Sequence, residues 1–186
     1  RGNNPAIAMN DSGQVISVHD SGSGTLWYWT GQLESDGTVS WKHHGLYDTG
    51  QDPAIALNND GWFVEVHQSH VHATLWSHVG YLTSDLEPVF FSSNQYDDGV
   101  SPTIGFLDLD GTSLREIHRS NSTGLAWDWE VDLDLLSNSL DWGSNTQTSD
   151  ALHLKTRSES AAGYVQITTG TSGNAGSDTL LYSASG

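Results

Sequence analysis

Residues 53–68 read PAIALNNDGWFVEVHQ, a stretch that decides the fold because it encodes a hairpin that recurs along the chain. Two apolar-rich runs flank NNDG, and Asn, Asp and Gly are the residues that tolerate the positive φ of tight hairpin turns. Sister stretches begin at Pro5 (PAIAMNDSG) and Pro102 (PTIGFLDLDG), 48 residues before and 49 residues after Pro53. The chain therefore consists largely of internal repeats.

Each repeat contains four strand-like runs, which in the second repeat are PAIALN, WFVEVHQ, ATLWSHVG and PVFFSS. Four antiparallel strands in about 40–50 residues are typical of one β-propeller blade. We therefore predict an all-β fold, a β-propeller-like array of four-stranded repeats of about 48 residues. A closed β-barrel of about fifteen short strands is the structural alternative.

The repeats divide one predicted domain, residues 1–186, into three full units and one incomplete unit. Their predicted bounds are about 3–50, 51–99, 100–148 and 149–186. The last unit ends after a third strand, which would leave an open sheet edge. We expect either further blades or a second copy of the chain, in a homo-oligomer, to complete a ring.

Charge and composition exclude several classes of function. Acidic residues outnumber basic ones by 23 to 6, and a net charge of -17 repels phosphate backbones, so no nucleic-acid partner is predicted. The chain contains no cysteine, which excludes disulfides, thiolate metal ligands and thiol nucleophiles. It also contains no transmembrane run of about 20 apolar residues.

One histidine recurs in each repeat, in VHDS, VHQS and IHRS. These residues are His19, His67 and His118. Alternate residues of a strand share a face, so Glu65 and Glu116 join the histidines on a polar face, whereas Val18, Val66 and Ile117 are predicted to pack inward. Each histidine either bridges neighbouring blades through a backbone carbonyl or lines a ligand pocket between blades.

Tryptophans recur beside these histidines in TLWYW, TLWSH and LAWDW. The positions are Trp27, Trp29, Trp76 and Trp127. Indole rings are flat apolar surfaces on which the C–H faces of sugars stack, while nearby His, Asp, Gln or Arg can hydrogen bond to hydroxyls. Gln68 and Arg119, which follow two of the histidines, are candidates for such bonds. The alternative is that the aromatic rings are packed between blades as core.

The sequence does not predict a metal cofactor. Only His67 recurs among the clustered histidines, because His70 and His72 fall in a variable loop, and neither an HExxH pattern nor a cysteine pair accompanies them. Asp108 and Asp110 in DLDG could offer oxygens to calcium, but the later acidic ligand of a calcium loop is missing. We interpret DLDG as a hairpin turn, with calcium as the alternative.

The unit YDTGQDPAIALNNDGWFVEVHQSHVHATLWSHVG resembles a tandem repeat of secreted bacterial and marine-invertebrate proteins, some of which carry it beside a phosphatidylinositol-specific phospholipase C-type domain. The matching positions include Tyr47, Asp48, Gly50, His67 and Trp76, and the resemblance covers residues 3–142. It implies an extracellular β-propeller-like array without the phospholipase activity. The architecture is also similar to that of propeller lectins.

Together these patterns predict a secreted, non-enzymatic, lectin-like protein that binds glycans multivalently. The predicted ligand-binding residues are His19, Trp27, Trp29, His67, Gln68, Trp76, His118, Arg119 and Trp127. One alternative is a structural module that completes a propeller with another chain or with missing blades. A hydrolase with one asymmetric site is the other, and His153 is then its candidate residue.

Overall fold

The computed structural model of the protein describes residues 2–91 and 93–148, and this part of the chain is all-β. It forms three antiparallel sheets, and none of the three closes into a barrel. Within these residues there is no helix, and therefore none that could cross a bilayer. The predicted incomplete repeat at 149–186, with His153, lies outside the described residues.

Each sheet corresponds to one full repeat, with strands in chain order. The first sheet contains β1 (Asn3–Met9), β2 (Gln14–Asp20), β3 (Thr25–Leu33) and β4 (Val39–Thr49). The second contains β5 (Gln51–Leu57), β6 (Trp62–Gln68), β7 (Thr74–Leu82), β8 (Pro88–Phe90) and β9 (Asn94–Asp98). The third contains β10 (Val100–Phe106), β11 (Ser113–Arg119), β12 (Ala126–Asp134) and β13 (Ser139–Thr148). In the second sheet β8 and β9 both pair with β7, so together they take the place of one fourth strand.

The predicted hairpin turns join the first two strands of every sheet. Gly13 and Gly61 have φ of 78° and 83°, a left-handed conformation that costs glycine little. Neighbouring turns also bond to each other, since Asn10 Nδ2 donates to the Asn58 carbonyl over 3.1 Å and the Asn59 amide donates to the Leu109 carbonyl over 2.7 Å. The turns therefore hold the same end of all three sheets together.

The sheets stack in chain order with an apolar core in each gap. We call the side of a sheet that carries the recurring histidine its His face, and the opposite side its reverse face. The reverse face of the first sheet (Ile16, Val18) packs on the His face of the second (Leu57, Phe63), and all four side chains are at most 2% exposed. The reverse face of the second sheet packs in the same way on the third, through Val64, Val66, Ile104, Leu114 and Val131.

The prediction that Ile117 packs inward with Val18 and Val66 is wrong. Val18 and Val66 are fully buried, whereas Ile117 is 44% exposed. The reverse face of the third sheet is polar instead, because Arg115 on β11 pairs with Asp128 and Glu130 on β12 at 3.3 and 2.7 Å. Strand alternation assigns Ile117 to the correct face, but no described layer covers that face.

Candidate functional site

The end of β4 brings a tyrosine to the His face of the second sheet. Tyr47 Oη donates to Glu65 Oε1 over 2.9 Å, and His67 Nδ1 donates to Glu65 Oε2 over 3.0 Å. Glu65 and His67 are 0% and 1% exposed, so both oxygens of a fully buried carboxylate accept a hydrogen bond, as burial requires. Burial and the adjacent Glu65 charge raise the pKa of Tyr47 well above its ordinary value, which keeps the phenol a donor.

These contacts determine which nitrogen of His67 carries the proton. A carboxylate accepts only, so Nδ1 holds a proton, and in the neutral imidazole Nε2 is then the nitrogen that carries the lone pair. Nε2 lies 3.9 Å from Asp48 Oδ2, which is beyond hydrogen-bond distance. His67 therefore points Nε2 towards the Asp48 carboxylate without forming a hydrogen bond to it.

Asp48, the residue after Tyr47, is held between the two sheets by His78 on β7. His78 Nε2 lies 2.7 Å from Asp48 Oδ2, its Nδ1 lies 2.8 Å from the Phe91 carbonyl, and the Thr49 amide donates to Asp48 Oδ1 over 2.7 Å. Burial alone would lower the pKa of His78, but the hydrogen bond to Asp48 and the charge of Glu65 raise it above its ordinary value. Burial would likewise raise the pKa of Asp48, and the hydrogen bonds from His78 and Thr49 lower it instead.

The same arrangement recurs one sheet further on. Tyr96 Oη donates to Glu116 Oε1 over 2.9 Å, and His118 Nδ1 donates to Glu116 Oε2 over 3.0 Å. His118 Nε2 lies 3.6 Å from Asp97 Oδ2, but here the partner of that oxygen is Trp129, whose Nε1 donates to it over 2.8 Å. Burial, above all, raises the pKa of Glu116. The Tyr-Asp pair of one repeat thus completes a network on the next sheet.

The glycine of the YDxG motif follows from this packing. A Cβ on Gly50 would lie 2.6 Å from Cδ2 of His67, and one on Gly99 would lie 2.5 Å from Cδ2 of His118. Any larger residue would push the imidazole away from its carboxylate. The motif therefore supplies a donor, an anion and a gap for the histidine ring in four successive positions.

The His face of the first sheet differs, because Ser17 stands where the others have Glu65 and Glu116. No Tyr-Asp segment covers this face in the described part of the chain. Instead it carries Trp29 and Trp41, 39% and 45% exposed, in edge-to-face contact with ring centroids 6.1 Å apart. Together with Ser17 they line a cavity of about 260 Å³.

A second cavity, of about 350 Å³, opens beside the network on the second sheet. One wall is the half-buried indole of Trp76. The Nε1–H of this indole already donates to Thr74 Oγ1 over 3.2 Å, so the ring offers a ligand an apolar surface rather than a hydrogen-bond donor. The other walls are polar. They consist of Asp48, Thr49, His67, Ser69, His72, Thr74, Ser93 and Gln95.

The predicted binding residues divide into groups. Trp27, Trp76 and Trp127 are half-buried and belong to neither apolar core, and His67 joins Trp76 at the cavity. Gln68 and Arg119, by contrast, lie on the reverse face, because each directly follows its histidine in the strand. His19 is half-buried on the first sheet, and Trp29 there stacks on His44 with ring centroids 4.5 Å apart.

Several residues of the site were not predicted, although the sequence carries a signal for them. Tyr47, Asp48, Glu65 and Gln95 all line the cavity or its network. The recurring motifs YDTGQDP and YDDGVSP, and the recurring E-x-H in WFVEVHQ and SLREIHR, mark all but Gln95. A carboxylate that recurs beside a recurring histidine needs a donor wherever that strand face is buried, and the recurring tyrosine is the one available.

No protein-family model matches the chain, and no curated protein matches it in a sequence search.

Proposed function

We propose that this protein is a non-enzymatic, lectin-like module that binds carbohydrate in the cavity beside Trp76. The observation that carries the proposal is a cavity of about 350 Å³ lined by one indole ring and eight polar side chains. Such cavities, with one apolar surface and a few convergent polar groups, are typical of small-ligand sites. Sugars stack their C–H faces on an indole ring, and their hydroxyls form hydrogen bonds to the adjacent polar side chains.

The polar groups favour a neutral sugar. Asp48 accepts hydrogen bonds from hydroxyls, Nε2 of His67 accepts one when its imidazole is neutral, and the amide of Gln95 both donates and accepts. Acidic sugars would meet the Asp48 carboxylate and a net charge of -17, both of which repel them. Neutral hexoses within larger glycans are therefore the proposed ligand class.

The proposal extends to a multivalent, propeller-like arrangement. First strands β1, β5 and β10 of successive sheets lie against one another, as the innermost strands of neighbouring blades would. Trp127, His118 and Asp97 repeat the chemistry of the second sheet on the third. Several weak copies of one site would bind a glycan-bearing surface with an avidity above that of each copy. Such a role belongs outside the cell, in keeping with the secreted proteins that the repeat resembles.

Replacing Trp76 by alanine is expected to lower the apparent affinity for a glycan-bearing surface by roughly tenfold or more, because it removes the stacking surface of one copy of the site, and with it avidity, while leaving the cores intact. The measurement is a screen of the purified chain and its variant on an array of neutral and acidic glycans, with circular dichroism to check folding. Trp41→Ala is the matched control, since it removes an exposed indole outside this cavity. Wild-type apparent affinity in a folded Trp76→Ala variant, or a loss in Trp41→Ala alone, would contradict the proposed site.

A second candidate function is assembly, and the exposed apolar residues on the His face of the first sheet favour it. These are Ile7, Met9, Trp29, Trp41 and Leu46, which are 39 to 63% exposed. In the second and third sheets a preceding sheet covers this face. Contiguous exposed apolar patches mark interaction surfaces. The proposed partner is a second copy of the chain.

A charge placed on this patch is expected to separate the copies. Trp41→Glu should convert a dimer to a monomer in light scattering coupled to size exclusion, because burying an unpaired carboxylate is unfavourable. Ile117→Glu is the control, since Ile117 is similarly exposed, at 44%, on the reverse face of the third sheet. A wild-type monomer at high protein concentration, or equal effects of both variants, would remove this candidate.

A further inference from the structure

Three side chains from two sheets converge on one point beside the Trp76 cavity. Asp48 comes from β4, His67 from β6 and His78 from β7. One potential ligand atom of each, a carboxylate oxygen or an imidazole nitrogen, lies within 4.8 Å of the others. Both histidines are buried, at 1% and 5% exposed, so their rings are held in position by packing as well as by hydrogen bonds.

The other polar atom of each side chain is already fixed by a hydrogen bond. His67 Nδ1 bonds to Glu65 at 3.0 Å, His78 Nδ1 bonds to the Phe91 carbonyl at 2.8 Å, and Asp48 Oδ1 accepts from the Thr49 amide at 2.7 Å. Metal-ligating histidines nearly always donate their second N–H to a carboxylate or a backbone carbonyl, and ligating carboxylates are themselves hydrogen-bonded. The two contacts from Nδ1 direct Nε2 of both rings towards Asp48 Oδ2.

The distances are close to those of a coordination sphere. With metal–ligand bonds of about 2.1 Å, two ligand atoms of a tetrahedral centre lie roughly 3.4 Å apart. The Asp48 Oδ2 atom lies 3.9 Å from His67 Nε2 and 2.7 Å from His78 Nε2. Changes of less than about 1 Å would bring these two distances to that value, and the ligand atoms of the two histidines lie within 4.8 Å of each other.

We propose that Asp48, His67 and His78 form a binding site for a divalent transition metal of the Zn²⁺ type. Two imidazole nitrogens and one carboxylate oxygen suit Zn²⁺ and its neighbours, whereas Ca²⁺ and Mg²⁺ require a sphere of oxygens. Three protein ligands leave a fourth position for water or a ligand atom. Asp48 and His67 also line the Trp76 cavity, so a bound metal would border it.

The third sheet contains a natural comparison for this site. Asp97 and His118 occupy the positions of Asp48 and His67, but Trp129 stands in place of His78 and bonds to Asp97 through Nε1. An indole N–H donates and cannot ligate a metal. The repeat can therefore fold with the tryptophan version of the network, and only the second sheet carries the complete set of ligands among the described residues.

The test is titration of the purified, chelator-stripped chain with Zn²⁺ alone, in competition with a chromophoric chelator. We expect the wild type to bind one equivalent tightly, and His78→Trp, which copies the third sheet, to lose it. Asp48→Asn should weaken binding at least tenfold, since loss of a ligand costs no less than loss of an outer-shell partner. The asparagine side chain is nearly isosteric with aspartate and can donate to a neutral His78, so this variant decides the question if His78→Trp does not fold.

A His70→Ala variant is the control for adventitious surface binding, because this residue is exposed in the neighbouring loop and does not line the Trp76 cavity. It should retain the tight equivalent. The proposal is overturned if the wild type has no tight equivalent, if Asp48→Asn binds as the wild type does, or if the loop variant loses the metal. Because the readout is metal alone, it does not depend on whether the protein binds carbohydrate.

Discussion

Replacing Gly80 by alanine is expected to destabilise the protein by about 3 kcal/mol, the upper part of the usual range for overpacking a core. Gly80 on β7 lies between Phe63 on β6 and the β8 backbone, and an added Cβ would contact the Phe63 ring and the Val89 carbonyl oxygen far inside van der Waals distance. Neither neighbour can move easily. Phe63 is 0% exposed in the core between the first two sheets, and the Val89 oxygen is part of the backbone.

Gly105→Ala is the matched control, because it makes the same substitution in a strand where a new Cβ meets nothing within 4 Å. It should change the free energy of unfolding by less than about 1 kcal/mol, and in the stabilising direction if the loss of unfolded-state entropy dominates. Urea unfolding followed by tryptophan fluorescence measures both. Equal stability of the two variants would show that the second sheet can open around Gly80.

Removing the Tyr96 hydroxyl with Tyr96→Phe is expected to cost about 1–3 kcal/mol at neutral pH, because it leaves a buried acceptor unsatisfied. The hydroxyl donates to Glu116, which is 0% exposed. Tyr47→Phe should act similarly on Glu65. Tyr28→Phe is the control, because the Tyr28 hydroxyl makes no hydrogen bond to residues 2–91 or 93–148.

The cost of Tyr96→Phe should depend on pH. Burial raises the pKa of Glu116 above its ordinary value of 4.5, so the folded state holds the carboxyl proton to higher pH than the unfolded state does. The stability linked to that proton is present at acid pH and is lost as pH rises through the folded-state pKa. Loss of the Tyr96 hydrogen bond raises this pKa further, because that bond favours the carboxylate.

The difference in the free energy of unfolding between the wild type and Tyr96→Phe should therefore be small at acid pH and should grow as the pH approaches neutrality. Urea unfolding at a series of pH values measures it. A difference that is constant across the series, or one matched by Tyr28→Phe, would mean that the hydroxyl does not stabilise the Glu116 carboxylate.

Local sequence patterns are sufficient to predict the strands and turns. Alternation in WFVEVHQ and the turn residues NNDG describe contacts within one hairpin, where side-chain period and backbone conformation leave few choices. The same local reasoning is wrong for Ile117, because whether a face is buried depends on a layer that the strand itself does not encode. Its 44% exposure reflects the charged reverse face of the third sheet.

The candidate site is only partly predictable, because its residues come from different repeats. His67 and Trp76 can be identified within one unit, but Asp48 precedes that unit and reaches it across the gap between sheets. Sequence proximity groups His67 with His70, His72 and His78. Two of these are exposed in a loop, whereas the side chain that lies near both His67 and His78 is the Asp48 carboxylate, which comes from another sheet.

Each hydrogen-bonded network joins the end of one sequence repeat to the sheet of the next repeat. This arrangement determines how the number of repeats in the array can change. Tyr47 and Asp48 close the first repeat but bond to the second sheet, and Tyr96 and Asp97 do the same for the third. Unfolding one sheet must therefore break bonds on its neighbour, a nearest-neighbour coupling that makes the array melt cooperatively. A duplication or deletion of residues 51–99 would add or remove one sheet together with one whole network, leaving the tyrosine of each remaining YDxG motif opposite a glutamate.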